Sequence, residues 1–102
     1  MAEHDIPLPP PTFEFLVFSL KTQAEMRLGL LKFTEDQDDE PDLPSARHAI
    51  DLLAMIQEKT RNNLSLDEQR LIENSLTELR FRYVQVSENA AKAKSAGTEA
   101  AS

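Results

Sequence analysis

DLLAMIQEKTRNNLSLDEQRLIENSLTELRFRYVQV, residues 51–86, reads as the body of one amphipathic helix, a tight polar turn and a complete second helix. Its centre carries a sharp local signal, Ser65-Leu66-Asp67-Glu68. A serine hydroxyl that accepts from the backbone three residues on, with a glutamate reaching back, is a capping box and starts a helix. Beyond it Ile72, Leu76, Leu79, Tyr83 and Val86 recur at intervals of four, three, four and three. That is a coiled-coil-like seam of about two heptads, short enough to serve an intramolecular hairpin. Before the capping box, Asn62 and Asn63 tolerate the left-handed backbone that ends helices, and Leu64 can pack back across the turn. So short a turn predicts an antiparallel pair of helices.

Working outward, the earlier helix of the pair should run from residue 43 to 61 or 62. Asp42 is its expected N-cap, and Pro44 sits in the first turn, where a missing N–H is harmless. Ala46, Ala49, Ile50, Leu53 and Ile56 mark its buried face, with Leu52 and Met55 flanking it. A further helix is expected from residue 12 or 13 to 31 or 32, with Thr12 as N-cap and Glu14 facing the positive end of the helix dipole. Phe13, Leu16, Val17, Leu20, Ala24, Leu28 and Leu31 form one apolar stripe. A second set, Phe15, Phe18, Met26, Leu30 and Phe33, lies off that stripe. A helix apolar on more than one side is buried on more than one side. In a three-helix protein that means either a central helix or one facing a second subunit. On the second reading these five residues are the candidate interface, and the expected partner is a second copy of the chain.

Between these helices TEDQDDEPD, residues 34–42, forms an acidic linker. Counting from Asp36 places acids at positions 1, 3 and 5 of a calcium-loop pattern, but Pro41 stands where glycine is required and Arg47 where the bidentate glutamate belongs. The pattern fails at both, and a solvated loop is the expectation. The first eleven residues, with Pro7, Pro9, Pro10 and Pro11, read as an extended polyproline arm. Residues 87–102 lack a large apolar side chain and read as a flexible tail in which alanines extend the third helix by a turn or two. The domain organisation expected is thus an arm at 1–11, a helical domain at 12–86 and a tail at 87–102.

The 102 residues carry a formal charge of −7. Six of the 18 acidic residues, Glu35, Asp36, Asp38, Asp39, Glu40 and Asp42, lie in the linker, so the rest is close to neutral against 11 basic residues. No basic face interleaved with aromatics offers a footprint for phosphate backbones, so nucleic acid is not an expected partner. Without cysteine there is no disulfide framework and no thiolate chemistry. The first residues lack the charged, then apolar, then small-residue pattern of a leader, so a secretory signal is not expected. Glu14, Lys21, Gln23, Glu25 and Arg27 interrupt the most apolar run. The expectation is a cytoplasmic bacterial-type protein that neither spans nor coats a membrane. A helical domain of this size buries only about 60% of its unfolded surface, which adds to the case for self-association.

No catalytic, cofactor-binding or metal-binding constellation is visible. His48 has Leu52 at i+4, so two ligands do not share a helical face, and no glycine-rich loop or nucleophile turn exists with only Gly29 and Gly97 present. The polar residues that stand out are Asp51, Glu58, Lys59, Arg80, Arg82 and Tyr83. Arg80 lies between seam positions, so an acidic group of the second helix is expected to pair with it and set register. Tyr83 belongs to the seam and needs a partner for its hydroxyl.

Asp51-Leu52-Leu53, Glu58-Lys59-Thr60, Asn63-Leu64 followed by Ser65, and Leu79-Arg80 with Tyr83 give the chain its family look. On these elements it resembles a bacterial family, the domain-of-unknown-function family numbered 1844. The likeness covers residues 13–86 and includes the apolar first helix. Where such proteins often have glycine in the turn, this chain has Asn62. The resemblance implies a fold and no mechanism. The reading is therefore an all-α protein of three helices, a hairpin of the second and third packed on an apolar first, and dimeric. Its function is expected to be that of a non-catalytic interaction or assembly module. The alternative is a small-ligand or enzyme-accessory module with an inter-helix pocket lined by Phe, Met and the Arg80/Tyr83 pair.

Overall fold

The computed structural model describes residues 8–31 and 40–101, with side-chain environments up to residue 94. Phe33, His4 and linker residues 34–39 lie outside the described residues. Among the described residues the regular structure is three helices, α1 (Phe13–Arg27), α2 (Leu43–Lys59) and α3 (Leu66–Ala101), and each packs against the other two. The most extensive pairing is α1 with α2. The first helix is thus an integral layer of the fold and more than a cover on a hairpin.

Each start is set by a side chain that satisfies a backbone donor the helix itself leaves open. The Phe15 N–H donates to Thr12 Oγ1 at 3.0 Å, and the Ser45 N–H to Asp42 Oδ1 at 3.1 Å. At Ser65 the box is reciprocal, with the Glu68 N–H donating to Ser65 Oγ at 3.1 Å and the Ser65 N–H to Glu68 Oε1 at 2.8 Å.

The ends depart more from expectation. α1 stops at Arg27 instead of running to residue 31 or 32. Gly29, at φ 79°, turns the chain left-handed. The Leu30 N–H then donates to the Glu25 carbonyl at 2.9 Å and the Gly29 N–H to that of Met26 at 3.0 Å. This double return is a Schellman stop, and the left-handed glycine ends the helix although the apolar spacing of the leucines continues past it. The Asp42 N–H donates to the Arg27 carbonyl at 2.6 Å, tying the start of α2 to the end of α1. α2 ends at Lys59, where the Thr60 hydroxyl donates to the Ile56 carbonyl at 2.7 Å and Asn62 follows at φ 71°. α3 continues past Val86 through Ala101, 36 residues in all. Ala90, Ala91, Ala93 and Ala96 carry it on, alanine having the highest intrinsic helix propensity.

The core joins Val17 and Ala24 of α1, Ala49, Ile50 and Leu53 of α2, and Ile72, Leu76 and Leu79 of α3. Ala46, Leu28 and Ser75 are buried as well, and small side chains from all three helices permit close approach. Phe13, Leu20, Ile56, Leu64 and Tyr83 pack around this cluster. The expected stripes of α2 and α3 hold. That of α1 loses Leu16, which is 45% exposed, because it stands a quarter turn from Val17 on the side away from the core.

Candidate functional site

Two surfaces bear on function. The first is the outside of α1. Val17 and Ala24 point inward at a spacing of seven, so residues two positions either side of them stand on the opposite face. Phe15 and Met26 occupy that face, with Phe18 and Leu16 flanking it. Phe15 is 43% exposed and Phe18 61%, whereas Met26 is half-buried. Leu30 is 39% exposed beyond the helix stop, on the turn that Gly29 makes. Four of the five candidate interface residues are thus placed, two on the exposed helix surface, one half-buried there and one on the adjoining turn. α3 adds exposed Phe81 and Val84, which the seam at 72, 76, 79, 83 and 86 bypasses. Their signal in the sequence was their position off that seam.

The second surface is a cleft between α2 and α3, ≈ 340 Å³, lined by Arg47, Ile50, Asp51, Arg80, Tyr83 and Val84. It gathers three of the singled-out polar residues, Asp51, Arg80 and Tyr83. Its walls are aliphatic, Ile50 and Val84, in place of the phenylalanine and methionine expected of an inter-helix pocket. Asp51 meets Arg47 Nε on its own helix at 4.0 Å, and no ion pair within that distance joins it to Arg80. Glu58 Oε1 accepts from Arg61 at 2.7 Å, beside the turn and outside this cleft. Lys59 is exposed at the end of α2.

Among the described residues the ion pair between helices lies elsewhere. Lys21 Nζ reaches Glu78 Oε1 at 3.3 Å, joining α1 to α3, and Arg82 Nε lies 3.8 Å from the other oxygen of Glu78. Only the step from Glu78 to Arg82, an i, i+4 pair on one helix, is local in the sequence. Hydrogen bonds from the Ser45 side chain and then its backbone N–H, with the Arg27 charge adding a smaller pull, hold Asp42 below the ordinary carboxylate value.

Among the described residues no three His, Cys, Asp or Glu side chains gather to hold a metal ion, and no helix is long and apolar enough to cross a membrane. His48 is an exposed residue of α2. A family model described as domain of unknown function (DUF1844) matches residues 10–85. No curated protein and no solved structure matches the chain.

Proposed function

The chain belongs to the DUF1844 family, and we propose that it is a small non-catalytic interaction or assembly module of the bacterial cytoplasm that pairs with a second copy through the outer face of α1. The observation that supports this is the two-sided character of that helix. One side fills the core with Val17 and Ala24, while Phe15 and Phe18 leave 43% and 61% of their surface in water on the rest. Covering a large apolar side chain is worth about 1.5–3 kcal/mol, so two such rings in each of two subunits provide a driving force of the size weak dimers need. In this reading α2 and α3 run antiparallel about the turn at residues 60–65 and hold α1 outward. A different protein bearing a complementary apolar surface is the partner if the chain does not self-associate. Nucleic acid and membranes are not partners in this reading.

Light scattering after size exclusion, over a wide concentration range, tests it. The native chain is expected to show a concentration-dependent dimer. Phe15→Asp and Phe18→Asp are expected to give monomers with native helicity, since both side chains point away from the core. Unchanged mass and unchanged partner capture in both variants would remove the proposal.

A further inference from the structure

We propose that the cleft between α2 and α3 binds a small oxyanion, a carboxylate or a phosphate, carried on a short aliphatic body. This goes beyond the α1 interface and does not depend on it, because no residue of α1 lines the cleft.

Two arginines, Arg47 and Arg80, and a single carboxylate, Asp51, line the cleft, so it is locally cationic in a chain of net charge −7. Asp51 does not neutralise both. It lies 4.0 Å from Arg47 Nε, the outer limit of an ion pair, and Arg80 makes no ion pair among the described residues. A guanidinium offers five N–H donors in a rigid fork that stays charged at any physiological pH and matches the two oxygens of a carboxylate or phosphate. Two forks from neighbouring helices define a place for such a group, which a lone surface arginine does not.

The remaining lining fixes what the anion is attached to. Ile50 is 5% exposed and forms a firm apolar wall, Val84 stands at the rim, and the Tyr83 ring packs against the core. Tyr83 thus lines the cleft while packed against the core. At ≈ 340 Å³ the space lies near the lower end of ligand pockets, about 300–1,000 Å³, and suits a body of a few carbons.

Tyr83 is the only tyrosine, and the chain has no tryptophan, so tyrosine emission reports on this cleft alone. The full-length protein is titrated at low salt with hexanoate and hexyl phosphate, with hexan-1-ol and hexylamine as controls, none of which absorbs with tyrosine. Both anions are expected to change the emission saturably, the tighter one identifying the source of the oxyanion, and added salt is expected to weaken them. Arg80→Gln is expected to weaken anion binding on the order of 10-fold, the loss of a charge-assisted hydrogen-bonding fork. Arg80→Lys, which keeps the charge and loses the fork, is expected to fall between. Both positions are exposed, and circular dichroism checks the fold; should Arg80→Gln lose it, Arg47→Gln carries the comparison. The proposal is overturned by any of three results: no saturable response to either anion, an equal response to hexan-1-ol, or anion affinity unchanged in a folded arginine variant. None of these bears on dimerisation through α1, which Phe18→Asp tests separately.

Discussion

Asp42 and Ser65 do the same mechanical work with different chemistry. Each places a side-chain oxygen on a backbone N–H three residues on, at 3.1 Å. Ser65→Ala leaves the Glu68 N–H without its partner, and stability is expected to fall by about 1 kcal/mol, read as a lower urea midpoint at unchanged slope. At Asp42 the acceptor is a titrating group, so its contribution depends on pH. Because hydrogen bonds from Ser45 hold its folded pKa below the ordinary value, the contribution is fully present above the unfolded carboxylate pKa, about 3.9. It is lost as pH falls through the lowered folded value. Asp42→Asn keeps a good cap that does not titrate. Its thermal midpoint is therefore expected to fall less steeply than that of the native chain as pH drops below about 4.

At the scale of elements, α1 is a helix stopped by its C-terminal glycine while apolar residues continue. With φ at 79°, Gly29 occupies backbone space that costs an L-residue about 1–2 kcal/mol. Gly29→Ala is expected to destabilise by that amount in denaturant melts, and Gly29→Asn by less, since asparagine tolerates the left-handed region. The attachment of α1 to α3 includes the Lys21–Glu78 pair, whose side chains are 28% and 43% exposed. At such exposure solvent screens the charges, and a double-mutant cycle is expected to give a coupling of about 0.2–1 kcal/mol that shrinks in high salt. A coupling near 3 kcal/mol would mean the pair is far better shielded than its surface indicates.

At the scale of the whole molecule, stability rests on one small cluster to which each helix contributes two or three residues. Leu53, fully buried among α1 and α3 side chains, is central to it. Leu53→Ala is expected to cost about 2–5 kcal/mol, a large part of the 5–15 kcal/mol available to a domain, and to lower the thermal midpoint well below that of the native chain. Phe18→Asp, by contrast, should leave the thermal midpoint of the monomer nearly unchanged while altering its mass in solution. The contrast between a core leucine and a surface phenylalanine separates folding from assembly.

Sequence alone determined what is decided within about four residues along the chain. The three helix starts, the left-handed Asn62 and the buried faces of α2 and α3 all rest on such local relations, as does membership of the family. Gly29 belongs to the same class of local signal, and it stops α1 although the leucines beside it keep helical spacing. Only the tertiary structure decided which apolar residues were left over and which charges met. Leu16 and Phe81 are exposed, Glu78 rather than an acid of α2 takes the inter-helix ion pair, and Arg47 shares a cleft with Arg80. Those outcomes depend on how far each helix is rotated about its axis and where it crosses its neighbours. Both are set by the packing of all three faces at once, which no single stretch of the chain encodes.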